Sequence, residues 1–296
     1  MPYSCKTPNK STSHPSLRFE HTTVTLCRVL RVNRSTYYNF INKKPSKREI
    51  ENQLFRKLLL EIYMKAKKRI GTRAFKIILL RDYGINISEG RIFRLLKSMN
   101  LPKMSTTKPR FKSRKPPVFS SENLLKQEFN PNLPNQVWTT DFTYISIGNK
   151  RHVYLCAILD LYSRKCIAWK VSDKIDAKLA CDTLQIAINT RKPTEPILFH
   201  SDQGSQFKSQ EFRKLLDEHH LMPSYSKPGY PYDNAVTEVF FKYLKQHEIN
   251  RKTFHSIEEV RLSCFEYIER FYNNYNPHSA NNGLTPNQKE LEYFKN

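Results

Sequence analysis

The order of strand and helix patterns between residues 135 and 250 constrains the fold more than any other feature of this 296-residue chain. Three runs rich in β-branched and aromatic residues, separated by turn signals, predict an antiparallel three-stranded meander over residues 139–147, 151–159 and 164–171. The patterns that follow predict helix, strand, helix, strand and helix over residues 177–190, 197–200, 209–219, 222–226 and 233–248. The sequence therefore predicts an α/β domain with five strands and flanking helices.

Three acidic residues occupy distinctive places in this pattern. Asp141 interrupts the first strand, where a charge is costly unless it is paired or bound to a metal. Asp202 follows a short apolar run and so lies at the carboxyl end of the fourth strand, where open α/β sheets bind ligands. Glu238 falls on the last helix, whose Asp-Asn opening predicts an N-cap. Any three of the 27 acidic residues could be grouped after the fact, but these placements favour a shared site.

Three carboxylates suit the cleavage of a phosphodiester. Two divalent ions about 3.5 to 4 Å apart can clamp the attacking and leaving oxygens of an in-line displacement. Mg²⁺ prefers oxygen ligands, whereas histidine and cysteine favour zinc. The six cysteines include no Cys-x-x-Cys pair, so neither a structural zinc site nor a disulfide framework is expected. Asp141, Asp202 and Glu238 are therefore the predicted catalytic and metal-binding residues, with two Mg²⁺ ions as the cofactor and Mn²⁺ as a substitute.

The positive charge of the chain is concentrated in its amino-terminal part. The formal net charge is +23, and residues 1–120 hold 28 Lys and Arg against 6 Asp and Glu. Such a region is typical of polyanion binding, because cations that neutralise phosphates release condensed counterions. A ribosomal-type protein or a binder of anionic membranes is the alternative on composition alone. No signal-peptide pattern or apolar run long enough for a bilayer is found, so we expect a cytoplasmic protein without a membrane partner.

The amino-terminal part also carries helical patterns. Residues 24–30 and 35–40 predict two short helices, and residues 47–67 predict a third with a regular four-residue apolar step at Ile50, Leu54, Leu58 and Ile62. A helical run over residues 71–80 is followed by a turn and by a helix from Ser88 to about Met99.

The helix after Ser88 has both an apolar face and a basic side. Arg91, Arg94 and Lys97 recur outside the apolar face, as in a recognition helix that turns its basic side toward DNA. An amphipathic helix whose basic residues only face water is the alternative. Residues 102–134 then contain six prolines and a basic run, which is typical of a linker, with a short helix predicted at residues 121–129.

Several of these motifs together resemble a known family. They are Trp138-Thr-Thr-Asp-Phe-Thr-Tyr-Ile, His200-Ser-Asp-Gln-Gly and Asp233-Asn-Ala-Val-Thr-Glu-Val-Phe-Phe, with 35 residues between the second and third acids and Lys245 seven positions after Glu238. This set resembles the DDE transposases and integrases, and most closely the second-frame (OrfB-type) transposases of the bacterial IS-three insertion-sequence family. Residues 271–286 are similar to the family's carboxyl-terminal signature. The sequence departs from the family at Ile70, where an aromatic residue is usual, and at Asn276, where an arginine is usual.

The resemblance implies a ribonuclease-H-like catalytic domain, in which the first and fourth strands of a mixed five-stranded sheet lie side by side, preceded by an all-α helix-turn-helix region. The expected divisions of the chain are a flexible amino terminus, a helix-turn-helix DNA-binding region, a basic proline-rich linker, the catalytic core and a helical extension, over residues 1–20, 21–101, 102–134, 135–250 and 251–296.

The resemblance also implies an activity and its partners. The expected reaction is metal-dependent hydrolysis at the 3′ ends of an insertion sequence, followed by strand transfer of the freed 3′-hydroxyl, with Lys242 and Lys245 holding the DNA backbone. The expected partners are double-stranded DNA bearing the terminal inverted repeats, target DNA, further copies of the chain on DNA and the product of an upstream overlapping frame. The place of action is then the nucleoid of a bacterial cytoplasm. His278 either touches substrate or caps its own turn.

Three alternative functions share part of this pattern. A catalytically silent DNA-binding regulator would bind without cutting, and a structure-selective nuclease would cut without joining. A retroviral-type integrase would share the three acids, but it normally carries a His-His-Cys-Cys zinc module, and Cys27 has no cysteine nearby to form one. An intact set of carboxylates favours the transposase.

Overall fold

A computed structural model describes residues 22–42, 44–102, 123–125, 128–148, 151–226 and 234–295. The chain divides into two compact units, of which the first ends at Lys57 and the second begins at Leu58. The predicted flexible segment 1–20 and most of the predicted linker lie outside the described residues. Within the described part of the chain, no helix combines the length and the apolar character needed to cross a membrane.

The first unit contains two short helices, α1 (Thr23–Leu30) and α2 (Arg34–Ile41), which contact each other as the sequence predicted. The Thr22 hydroxyl caps α1 by accepting the Thr25 N–H at 3.3 Å. Arg31 ends α1 in the left-handed conformation, with φ of 52°. This is the usual way of closing a helix and turning the chain.

The long helix α3 (Lys47–Lys65) buries only part of the predicted apolar stripe, at its carboxyl end. Ile50 and Leu54 are each 55% exposed, whereas Phe55, Leu59 and Ile62 are buried. A strict four-residue step advances about 40° beyond one full turn each time, so the predicted stripe winds around the helix. Steps that alternate between four and three residues, as from Phe55 to Leu59 to Ile62, stay on one side.

Two more helices open the second unit, α4 (Thr72–Tyr83) and α5 (Glu89–Ser98), and they pack on each other. Ser88 caps α5 as predicted, its hydroxyl accepting the Arg91 N–H at 3.3 Å. Ile92 and Leu95 form the buried face of α5.

The sheet of the second unit has five strands in the order β3-β2-β1-β4-β5. Its strands are β1 (Val137–Ile147), β2 (Arg151–Asp160), β3 (Lys165–Ser172), β4 (Ile197–Ser201) and β5 (Leu221–Tyr225). The first three pair antiparallel, and β4 and β5 join them in parallel. This mixed sheet, with β1 beside β4, is the predicted ribonuclease-H-like topology.

Helices cover both faces of the sheet. The helices that follow β3 are α6 (Ala177–Arg191), α7 (Gln210–Glu218) and α8 (Ala235–His247). Trp138 of β1 is fully buried in the cluster that α6 and α7 form on one face. The next residue, Thr139, points to the opposite face, because side chains alternate along a strand. There its hydroxyl bonds to Thr237 of α8, so α8 covers the second face.

The chain continues after α8 with an α-helix, α9 (Ile257–Phe265), that extends as a π-helical stretch, Glu266–Tyr272. The last helix, α10 (Pro286–Lys295), follows a short turn. The helix predicted at residues 121–129 is absent from its described part, because the backbone N–H groups of Leu124 and Leu125 donate to the Ser224 hydroxyl at 3.1 and 3.3 Å instead of forming a helical ladder.

Candidate active site

The pairing of β1 with β4 brings Asp141 and Asp202 together. The two strands run parallel, with Thr139 opposite His200 as the last paired residues. Asp141 and Asp202 each lie two residues beyond this pair. Neighbouring strands in a sheet lie about 4.8 Å apart, so Asp141, inside β1, lies beside Asp202, which directly follows β4. The predicted adjacency of the first and fourth strands is confirmed.

The carboxylate of Asp141 lies in a strongly perturbing environment. Its Oδ1 accepts the N–H of Phe142 at 2.7 Å. Burial, together with the negative charges of Asp202 and Glu238, raises the pKa of Asp141 to about 7, against the opposing effects of the Phe142 N–H and Lys245. Like charges raise a carboxyl pKa only when they are close. Asp202 and Glu238 therefore lie close enough to Asp141 to disfavour its ionisation.

A glycine holds the carboxylate of Asp202 close to the main chain. The Gly204 N–H donates to Asp202 Oδ1 at 2.9 Å. A Cβ atom on Gly204 would lie 2.9 Å from the same oxygen, which is closer than real Cβ contacts allow. Glycine is thus required for this close approach, and any other residue would displace the carboxylate.

A buried histidine supports the strand end that carries Asp202. The ring nitrogens Nδ1 and Nε2 of His200 lie 2.9 and 3.0 Å from the hydroxyls of Ser224 and Ser226. These bonds join the carboxyl ends of β4 and β5. Ser226 also donates its N–H to the carbonyl of Ser201, so the backbone directly before Asp202 is held against the end of β5.

Glu238 lies in the first turn of α8, and two side-chain hydrogen bonds attach this turn to β1. The Asn234 amide donates to the Thr140 carbonyl at 2.9 Å, and the Thr237 hydroxyl donates to the Thr139 hydroxyl at 2.8 Å. Partial burial of its carboxyl group raises the pKa of Glu238. Both bonds come from residues that precede Glu238 and reach residues that precede Asp141 on the strand, so they set the spacing between these acids.

The predicted N-cap of α8 is wrong in its mechanism. Asp233 lies outside the described residues, and Asn234 precedes the helix without making a side-chain cap bond. Its amide reaches the strand instead, and its Oδ1 is buried with no hydrogen-bond partner among the described residues. Sequence reasoning missed the roles of Asn234, Thr237 and Thr139. A usable signal was present, because small polar residues at buried positions beside two of the acids need partners.

The two predicted lysines of α8 differ in their surroundings. The ammonium of Lys245 lies 4.3 Å from the centre of the Tyr144 ring on β1. Burial lowers the pKa of Lys245, while Asp141 opposes this effect. Lys245 therefore lies within electrostatic reach of Asp141. Lys242 is exposed.

The predicted DNA-contacting residues of α5 are on or near the surface. Arg94 and Lys97 are exposed and Arg91 is half-buried. Within the described residues, no hydrogen bond or ion pair joins Arg94 or Lys97 to the three carboxylates. Their assignment to DNA binding stays a prediction.

The carboxylates are a chemically suitable donor set for a hard cation, although they are not gathered into a finished site. Among the residues that the structure describes, no group of three or more His, Cys, Asp or Glu side chains is placed to hold a metal ion. Hydrogen bonds from described residues engage one oxygen each of Asp141 and Asp202. The second oxygens and the Glu238 carboxylate are left for another ligand, and oxygen donors of this kind suit Mg²⁺.

Comparisons with known proteins agree with this arrangement. Two family models, each described as an integrase core domain, match residues 131–231 and 219–286. With the sheet topology, they place the chain among the ribonuclease-H-like integrase-core proteins. The transposase InsF for insertion sequence IS3A of Escherichia coli (strain K12) is 35% identical over 271 residues, which cover 90% of this chain and 92% of the relative. The chain belongs to the IS3 family of insertion-sequence transposases.

Two further similarities are more limited. A protein of Lactococcus lactis subsp. lactis named ATP-dependent protease is 85% identical over 95 residues, which make up 32% of this chain, and the chain spans only 31% of that protein's length. A chain in the structure of the simian T-cell lymphotropic virus intasome in complex with PP2A regulatory subunit B56 gamma has 14% identity and a TM-score of 0.43, covering 72% of this chain and 73% of that chain.

Proposed function

We propose that this transposase cuts the 3′ ends of an insertion sequence and joins them to target DNA, with Asp141, Asp202 and Glu238 as the catalytic residues. The observation that carries the proposal is the effect of Asp202 and Glu238 on the ionisation of Asp141, which lies on β1 beside the carboxyl end of β4. Carboxylates that oppose one another's ionisation in this way are stable together when a cation is shared among them.

The same three residues are the proposed metal ligands. Two Mg²⁺ ions, or Mn²⁺ in their place, would neutralise charge on the scissile phosphate and sharpen the attacking oxygen. The N–H groups of Phe142 and Gly204 each fix one oxygen of Asp141 and Asp202, and the second oxygen of each would bind the metal. The bonds of Asn234 and Thr237 to β1 hold Glu238 at a constant distance from Asp141.

The lysines and the basic amino-terminal part supply the proposed DNA contacts. Lys245, beside Asp141, would hold a backbone phosphate next to the scissile one, and Lys242 would hold the backbone from the exposed side of α8. Arg91, Arg94 and Lys97 would contact the duplex from α5. The excess of positive charge in residues 1–120 would add a contribution to DNA affinity that weakens as the salt concentration rises.

The proposed partners follow from the reaction. They are double-stranded DNA with terminal inverted repeats, target DNA, further copies of this chain on the DNA ends and the product of an upstream overlapping frame. The proposed place of action is the nucleoid in a bacterial cytoplasm.

The test is cleavage of a duplex that carries one end of the insertion sequence. Asp141→Asn, Asp202→Asn and Glu238→Gln should each abolish metal-dependent cleavage and strand transfer, because each removes a metal ligand but little core packing. DNA binding and thermal stability should persist in all three. Near-normal cleavage by any one variant would remove that residue from the catalytic set. DNA binding without cleavage by the parent protein would instead favour a silent regulator.

A further inference from the structure

A basic pocket of about 390 Å³ lies at the carboxyl end of α8, away from the three carboxylates. The pocket is lined by the apolar Met64, by the carboxylate of Glu248 and by five cationic side chains, which are Lys67, Lys68, Arg69, Arg251 and Lys252. The cations come from two segments that are far apart in sequence, the turn after α3 and the end of α8. The fold of the second unit therefore builds this concentration of charge.

The acids around the pocket neutralise only part of its charge. Arg69 and Lys252 both bond to Glu248, and Lys67 bonds to Glu266. Two carboxylates thus face five cations, which leaves an excess of three positive charges. Lys68 and Arg251 have no carboxylate partner within the described residues, and Lys68 is exposed.

The floor of the pocket is fixed by packing. Arg69 is only 3% exposed, and its guanidinium lies 5.1 Å from the Phe271 ring centre and 5.7 Å from that of Tyr267. Among the residues that the structure describes, its Nε is buried without a hydrogen-bond partner. Arg251 donates to the carbonyls of Lys67 and His247 at 3.2 and 3.0 Å, which ties the two segments together. The two guanidinium groups are thus held in place before any ligand arrives.

We propose that this pocket binds a backbone phosphate of the same DNA duplex that the carboxylates cut, an inference that rests on the proposed function. An excess of three positive charges in an open pocket suits a phosphodiester, because each contact releases a condensed counterion. Duplex DNA is the occupant we favour, since the pocket lies just beyond the carboxyl end of the helix whose first turn carries Glu238. Glu248 follows Glu238 by ten residues, or about 15 Å at the standard helical rise. That length corresponds to about four nucleotides of one strand at 3.4 Å each.

Lys68 is the residue to change, because it is exposed and unpaired and its backbone suits asparagine. Its φ is 64°, in the left-handed region that asparagine tolerates well. Lys192 provides a matched control: it is also exposed, follows the end of a helix and has a φ of 46°. Lys68→Asn and Lys192→Asn thus remove the same charge from the same backbone conformation at two places.

The first measurement is the affinity of the full chain for a fluorescent duplex bearing an insertion-sequence end, titrated at several salt concentrations. Lys68→Asn should reduce the slope of log K against log salt by about 0.9, the value for one phosphate contact. Lys192→Asn should keep the parental slope. An unchanged slope for Lys68→Asn, with melting temperatures equal for all three proteins, would overturn the pocket proposal.

The second measurement locates the phosphate with duplexes that carry one neutral methylphosphonate at successive positions on either side of the cleaved bond. One substitution, about four nucleotides away, should weaken binding by the parent and the Lys192→Asn protein but not by Lys68→Asn. Equal losses in all three proteins at every position would reject the contact. Competition by inorganic phosphate alone, without any position effect, would show a free-anion site instead. Parental cleavage measured in parallel separates these outcomes from failure of the proposed function itself.

Discussion

The side-chain amide of Asn234 donates a 2.9 Å hydrogen bond to the carbonyl oxygen of Thr140, the residue immediately before Asp141. One amide thereby joins the start of the helix that carries Glu238 to the strand that carries Asp141. The Thr237 hydroxyl repeats the connection one turn later through Thr139. The distance between two of the three proposed catalytic acids therefore depends on groups that themselves have no part in the chemistry.

We expect Asn234→Ala to impair catalysis more than folding. The change leaves the buried Thr140 carbonyl without its donor, at a cost of about 1–3 kcal/mol, and it releases the first turn of α8. Cleavage of an end-bearing duplex should fall at least about tenfold, and the half-saturating Mg²⁺ concentration should rise because Glu238 no longer keeps its place beside Asp141. Thr237→Val, which removes only the hydroxyl bond, should shift both values in the same direction. A normal Mg²⁺ dependence in both variants would show that these bonds serve stability alone.

We expect Asp141→Asn to raise the melting temperature of the metal-free protein. The substitution removes a buried charge that faces two like charges, while the side chain keeps its shape. Mg²⁺ should then stabilise the parent but not the variant, because a ligand at about 100 times its Kd adds about 2.7 kcal/mol only where its site exists. Thermal unfolding with and without Mg²⁺ measures both effects. Equal Mg²⁺ shifts in the two proteins would place the metal elsewhere.

Lys245→Ala should weaken productive placement of the DNA end. The ammonium is held against the Tyr144 ring and near Asp141, so its loss removes a positive charge beside the scissile position. We expect a cleavage rate about tenfold lower at subsaturating DNA, with partial recovery in Lys245→Arg, since a phosphate contact needs charge above all. Lys242→Ala, on the exposed side of the same helix, is the comparison and should lose less. Full activity of Lys245→Ala would assign the lysine to a solvated helix face.

His247 and His278 should each reduce stability as the pH falls from about 6.5 toward 4. Burial, reinforced by Arg164, lowers the pKa of His278 to about 4, and burial with Arg69 and Arg251 does the same for His247. Each of these histidines therefore binds more protons in the unfolded chain than in the folded one in this window, and each lowers the unfolding free energy by up to about 1.4 kcal/mol per pH unit. The raised pKa of Asp141 acts in the opposite direction, so the test compares the parent with a variant. Urea unfolding of the parent and of His278→Gln between pH 7.5 and 4.5 makes this comparison. The unfolding free energy of the variant relative to the parent should rise as the pH falls, and a constant difference would contradict the assignment.

The sequence predicted the parts of the site that follow from element order. Asp141 and Asp202 sit at strand positions, so the order of strands was sufficient to bring them together. The face that α3 buries was not predictable in the same way, because a four-residue apolar step looks regular in sequence but drifts around a helix. Asn234 was misread for a related reason: a residue before a helix normally caps it, and only the neighbouring strand reveals a better acceptor.

The hydrogen bonds of the Ser224 hydroxyl determine which ring nitrogen of His200, two residues before Asp202, carries the proton. It accepts the N–H groups of Leu124 and Leu125, which occupies both of its lone pairs. Its own proton must therefore go to Nδ1 of His200, so the imidazole carries a single proton on Nε2 and donates it to Ser226. The backbone amides of residues 124 and 125 thus select one tautomer of a buried ring. In this series of hydrogen bonds every donor points the same way, from the segment before the sheet toward Ser226, which follows β5.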